Sequence, residues 1–132
     1  MNWQEVDDQI RQLATKMSQK PDLIVGIARG GLIPARLLAK YLDVKDVYAL
    51  TFKKQGSQRV LRSEIKESLG GKQILLVEDI LESGRSLKTA LTYLESLGAE
   101  VKTVSLYLLP QPKIIPDYYI SKQDKMPIFP WD

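Results

Sequence analysis

Residues Gln73 to Leu87, QILLVEDILESGRSL, constrain the fold more than any other stretch of the chain. The run Ile74-Leu75-Leu76-Val77 has no polar position, the pattern of a strand covered on both faces in a parallel sheet. Glu78 and Asp79 stand at its carboxyl end, where open α/β sheets keep their ligand crevice. Glu82-Ser83-Gly84-Arg85-Ser86 then leads into Leu87, Ala90, Leu91, Leu94 and Leu97, spaced as the buried face of a helix that ends near Gly98. Backbone N–H groups at such a helix start suit a phosphate, and ionised carboxylates accept hydrogen bonds from sugar hydroxyls. The stretch therefore predicts a phosphate-and-sugar site built on an alternating strand and helix frame.

The rest of the chain fits that frame. Val6, Ile10, Leu13, Ala14 and Met17 recur at helical spacing, so Asn2 to about Ser18 reads as an amphipathic helix with Pro21 beyond its end. Leu23 to Ala28 is a short apolar strand, Arg29-Gly30-Gly31 a turn, and Pro34 to Leu42 a helix with proline in its first turn. Val47 to Phe52 reads as a strand. Lys53 to Ser63, KKQGSQRVLRS, is polar and basic and reads as a flexible loop broken at Gly56. Val101 to Leu109 is a further strand and Asp117 to Ile120 a short last one. Alternation of this kind implies right-handed crossovers and a mainly parallel, Rossmann-like sheet flanked by helices. Pro110, Pro112, Pro116, Pro127 and Pro130 argue against regular helix beyond Leu109. The expected organisation is one domain over residues 1–132, with a core to about 109 and a short carboxyl-terminal hood from about 110.

Composition removes several chemistries. The sequence has no cysteine and no histidine, so disulfides, thiol catalysis and imidazole chemistry are excluded and acid–base work falls to carboxylates, Lys or Tyr. Its 19 basic and 16 acidic residues are interspersed and give a net charge of +3, which does not point to nucleic acid and is compatible with a phosphate-rich substrate. An apolar segment of about 18 residues and a charged-then-apolar leader are both lacking, so no membrane partner and a cytoplasmic location are expected. G-x-G-x-x-G follows neither main strand, which sets a dinucleotide-binding oxidoreductase aside.

The stretch Glu78-Asp79-Ile80-Leu81-Glu82-Ser83-Gly84-Arg85-Ser86 resembles the signature of the type I phosphoribosyltransferases, which join a nitrogenous base to 5-phosphoribosyl-1-pyrophosphate (PRPP) and release pyrophosphate. Ser83 and Ser86 stand where the signature has threonines, and Glu82 where it usually has aspartate. Ala28-Arg29-Gly30-Gly31, within VGIARGGLIPARLLAKYL, resembles the pyrophosphate turn of bacterial xanthine-guanine phosphoribosyltransferases, and Ser57-Gln58-Arg59 an Asn-Gln-Arg stretch of the same enzymes. The resemblance runs from Leu23 to Asp132. It implies the type I phosphoribosyltransferase fold, with PRPP and a nucleobase, most readily a purine, as substrates and Mg²⁺ as cofactor. It implies that Glu78 and Asp79 hold the ribose, with Asp79 also contacting Mg²⁺ directly or through water. Glu82 is then the candidate general base, with Glu78 and Asp79 completing the catalytic set. Ser83, Gly84, Arg85 and Ser86 cradle the 5′-phosphate, and Ala28, Arg29, Gly30 and Arg59 hold the pyrophosphate. A non-proline cis peptide is expected at Ala28–Arg29, and a homodimer or homotetramer is the expected assembly.

The base side departs from that pattern. Leu109, followed by Pro110, takes the place of a lysine that reads the purine's exocyclic oxygen in the xanthine-guanine enzymes, and Lys113 is displaced from it by four residues. Met126 stands where those enzymes stack a tryptophan. Ile80, Leu109 and Met126 are the candidates for the base pocket, and Trp131 reads as packing of the hood rather than a ligand platform. Because Glu82, Leu109 and Met126 all lie on the base side, a non-catalytic or regulatory PRPP- or nucleotide-binding module on the same fold is the alternative.

Overall fold

A computed structural model describes all of residues 1–132. The elements run α1 (Trp3–Thr15), β1 (Leu23–Ile27), α2 (Leu32–Leu42), β2 (Val47–Leu50), β3 (Phe52–Gln55), β4 (Gln58–Leu61), β5 (Gln73–Leu81), α3 (Arg85–Ser96), β6 (Glu100–Leu108) and β7 (Ser121–Lys122). Five strands form one parallel sheet in the order β2-β1-β5-β6-β7. From β1 the chain moves outward to β2, and from β5 it moves outward the other way to β6. The direction of winding therefore reverses between β1 and β5, the place where a doubly wound sheet opens a crevice.

Both faces of the sheet are covered. Ile24, Leu75, Val77, Val104 and Leu106 pack with Val6, Ile10, Leu13, Ala35 and Leu38 of α1 and α2. Leu23, Val25, Ile27, Ile74 and Leu76 pack instead with Leu87, Ala90 and Leu94 of α3. Neighbouring strand residues thus go to opposite layers, as a period of two requires, and the unbroken apolar runs follow from having no solvent face. On α3, Leu97 is the C-cap and 39% exposed rather than part of the buried stripe.

Three sequence expectations are corrected. Lys53 to Ser63 is not a loop along most of its length: β3 and β4 form an antiparallel hairpin, with Lys54 opposite Arg59 and Gln55 opposite Gln58. Its two-residue turn is Gly56-Ser57, with a positive φ of 62° at Gly56 and none at Ser57, the type II′ pattern that suits the twist of a hairpin. The short last strand lies at Ser121–Lys122, not 117–120, although Tyr118 already bridges to Val104. Strand β5 does not end at Val77 but runs to Leu81 beside β6. Its partnership with β1 stops at Val77, so Glu78 and Asp79 are strand residues with one side left open.

Residues 110–132 contain no helix, in keeping with their prolines, and they are tied to both the sheet and the core. β7 forms the edge of the sheet, and Phe129, 3% exposed, belongs to the core layer of α1 and α2.

Candidate functional site

The crevice lies at the carboxyl ends of β1 and β5. On the β1 side the chain turns through Ala28, Arg29, Gly30 and Gly31 into α2, with the Ala28–Arg29 peptide cis, as expected. Ala28 N donates to Leu50 O at 2.8 Å and Gly31 N to Ile27 O at 2.8 Å, which fixes both ends of the turn. Arg29 is exposed between them. Glycine is required at Gly30 by space: a Cβ there would lie 2.5 Å from the Cγ and Oδ1 atoms of Asp79. The turn and the acid pair, distant in sequence, are therefore in direct contact.

On the β5 side the period-two alternation slips beyond Glu78. Glu78 pairs with Ser105 and Ile80 with Tyr107, while Asp79 and Leu106 leave a gap in the ladder. Ile80 consequently packs in the α1 and α2 layer and Leu81 in the α3 layer. Asp79 is 7% exposed; its Oδ1 accepts from Ile80 N at 2.7 Å and its Oδ2 from the Trp131 indole at 3.4 Å. Burial pushes its carboxyl above the usual range, with those two donors acting in the opposite sense. Burial, aided by the Asp79 charge, pushes Glu78 up to about 8, and the Arg59 guanidinium pulls the other way. The hairpin packs on α3, which brings Arg59 within electrostatic reach of Glu78.

Beyond β5 the chain passes Glu82 and Ser83 into α3. Gly84, at φ 84°, is the N-cap and offers no side chain to the open amides of the first turn. Ser83 Oγ accepts from Arg85 N at 3.3 Å. Glu82 and Arg85 are exposed and Ser86 half-buried. The tail reinforces this loop, since Lys113 N donates to Ser83 O at 3.0 Å and Ile114 packs on Gly84. What remains open is a row of N–H donors flanked by a guanidinium and hydroxyls, an arrangement suited to a phosphate monoester.

The candidate base-pocket residues are less gathered. Ile80 is half-buried against the core. Leu109 joins neither packed layer, its N donating to Leu81 O at 2.9 Å, and Met126 is 48% exposed. Trp131 is the residue whose role the sequence understated. It does pack, stacking on Phe129 with centroids 4.6 Å apart and planes 7° apart, but it also donates to Asp79. A contact that joins residue 131 to residue 79 leaves no local trace in sequence.

The parallel sheet thus carries an acid pair and two glycine-bearing turns at its switch point. The chain belongs to the phosphoribosyltransferase family: the family profile described as phosphoribosyl transferase domain matches residues 2–132. It is similar to the xanthine-guanine phosphoribosyltransferase of Cereibacter sphaeroides, with 31% identity over all of this chain and 85% of that protein. Among solved structures it resembles the purine phosphoribosyltransferase of Pyrococcus horikoshii, with a TM-score of 0.91 and 36% identity over 100% of this chain and 91% of the other. A Neisseria gonorrhoeae protein crystallised with bound ppGpp superposes with a TM-score of 0.79 and 25% identity over 100% of this chain and 87% of that one. The type I phosphoribosyltransferase fold expected from the sequence is thus the fold observed, and the chain is an enzyme of that class.

Proposed function

We propose that the chain transfers the 5-phosphoribosyl group of PRPP to a ring nitrogen of a purine, releasing pyrophosphate, as a step of nucleotide salvage. The observation that carries this reading is the contact between the Gly30 turn and Asp79. It brings that turn, with its exposed Arg29 side chain, against the pair of acids suited to a ribose, with the α3 loop beyond them for the 5′-phosphate. The names of the similar enzymes, and the purine nucleotide held by the Neisseria protein, support a purine acceptor.

The acid pair also fits Mg²⁺. Two carboxylates are its only titratable donors, and no group of three or more acidic side chains in the chain is placed to hold a metal ion. That suits a hard cation held by one or two carboxylates together with substrate phosphates, and not a metal caged by protein alone. Two desolvated carboxylates with raised pKa values are short of positive charge, and Asp79 is the candidate contact. Mg²⁺, when bound, neutralises the pyrophosphate so that it can leave.

The chain's own residues supply the remainder. Glu78 and Asp79 accept hydrogen bonds from the ribose 2′- and 3′-hydroxyls and fix the ring. The α3 amides with Ser83 and Ser86 anchor the 5′-phosphate, and Arg29 with Arg59 binds the departing pyrophosphate. The bond from C1′ to the pyrophosphate oxygen breaks with its electron pair going to that oxygen, positive charge develops on the sugar, and the purine nitrogen bonds to C1′. Glu82, exposed just beyond the end of β5, receives the proton that the purine loses. Closure of the β3–β4 hairpin over the site would exclude water that competes for C1′. We assign the active form to a homodimer or homotetramer in the cytoplasm.

The test is direct: incubate the chain with PRPP and Mg²⁺ alone and with each of xanthine, guanine, hypoxanthine and adenine, and follow pyrophosphate. Release that requires both a purine and Mg²⁺ is expected. Tight PRPP binding with no release on any base would refute the transferase reaction.

A further inference from the structure

The Asp79 carboxylate is held from three sides, and only one of them belongs to its own strand. Ile80 N binds Oδ1, the Gly30 backbone closes one flank, and the Trp131 indole is the one side chain that donates to it. A carboxylate tied by one oxygen still rotates about that bond; a donor to the second oxygen fixes its plane. The indole is rigidly mounted for that purpose. It stacks on Phe129, which is buried and stacks in turn on Tyr107 with centroids 5.9 Å apart. Tyr107 donates to Gln9 of α1, and the Asp132 carboxylate accepts from Phe129 N at 2.9 Å, closing the turn that carries Trp131.

We propose that Trp131 is a positioning residue: its indole N–H sets the plane of the Asp79 carboxylate that faces the ribose and cation, so the tail and not β5 alone determines that geometry. At 3.4 Å the bond is long, as such bonds often are before a ligand orders the site. Packing alone would need only an aromatic ring at this position, and a phenylalanine would meet that need. This inference rests on the PRPP reading above.

Trp131→Phe keeps a ring for Phe129 and removes the donor, and Trp131→His restores a ring N–H. Expected for Trp131→Phe is a rise of about tenfold in the KM for PRPP, about 1.4 kcal/mol. The KM for the purine is expected to stay within about twofold and the thermal midpoint within about 3 °C; Trp131→His recovers part of the loss. An unchanged KM for PRPP in Trp131→Phe overturns the proposal. A second measurement uses the native residue: Trp3→Phe leaves Trp131 as the sole indole of a chain with two, and its emission should shift on titration with PRPP and Mg²⁺. Emission that ignores PRPP while calorimetry shows it bound overturns the positioning role alone. No calorimetric binding to the wild-type chain overturns the PRPP reading and this proposal together.

Discussion

Replacing Gly30 by alanine tests the contact on which the site rests. The new Cβ would stand 2.5 Å from Cγ and Oδ1 of Asp79, whereas a comfortable separation is about 3.5 Å. One partner must retreat by about 1 Å. The turn cannot: Gly31 N is bound to Ile27 O, and a Cβ at Gly31 would itself meet Ile27 N at 2.9 Å, so the backbone there has no slack. The carboxylate therefore moves, losing its line to Ile80 N or to Trp131. Overpacking of this kind costs about 1–3 kcal/mol of stability, and for a chain of this size roughly 3–6 °C in thermal midpoint per kcal/mol. Misplacing a substrate-holding group by about 1 Å costs on the order of a hundredfold in rate. Steady-state pyrophosphate release should thus show kcat/KM for PRPP lowered on the order of a hundredfold in a protein that still melts cooperatively. Gly30→Ala with kcat/KM within about threefold of wild type, under half a log unit or 0.7 kcal/mol, would refute the argument that this contact orders the site.

Three further outcomes follow from the same geometry. A carboxyl whose folded pKa lies above its unfolded value binds more protons when folded, so it withdraws stability as pH rises between the two values. Glu78, moved from 4.5 to about 8, should make the metal-free chain melt at lower temperature as pH climbs through that window. Glu78→Gln should flatten the slope; a variant whose midpoint falls as steeply as wild type contradicts the upward shift of that acid. Arg59→Ala, at an exposed position, should raise the KM for PRPP by about tenfold or more, the size of a lost charge-assisted hydrogen bond, with stability within about 0.5 kcal/mol; an unaltered KM removes Arg59 from the pyrophosphate site. Gly84→Ala meets Ile114 at a φ of 84°, so it should lower the thermal midpoint. The pair Gly84→Ala with Ile114→Ala should cost less than the sum of the two changes; simple additivity would mean that the tail does not press on the phosphate loop.

The parts of the fold that were legible in the sequence are those whose residues have no choice of environment. Ile74 to Val77 and Leu23 to Ile27 are apolar on both faces because both faces are covered, and the acids and glycines beside them mark where covering stops. The β3–β4 ribbon was illegible for the opposite reason. Lys53, Lys54, Gln55, Gln58 and Arg59 are exposed on both faces, so no alternation distinguishes the ribbon from a loop, and the two-residue Gly56-Ser57 turn was its one signal. The run of β5 past Val77 was hidden because polar residues ordinarily end a buried strand, while here the ladder with β6 continues beneath them. The grip of Trp131 on Asp79 depends on how the tail returns over the sheet, which no local pattern encodes. The base side remains the least gathered part of the site, with Leu109 and Met126 outside both packed layers.

The central claim is that PRPP lies across the carboxyl ends of β1 and β5, and a crystal structure of the chain with PRPP and Mg²⁺ tests it most directly. The expected complex has the pyrophosphate on residues 28–30, the ribose on Glu78 and Asp79, and the 5′-phosphate on residues 83–86. A different groove, of about 630 Å³, lies at the opposite ends of the strands, lined by Met17, Gln73, Glu100 and Tyr118 among others. PRPP bound there, or bound at the crevice without touching Asp79, would contradict the account.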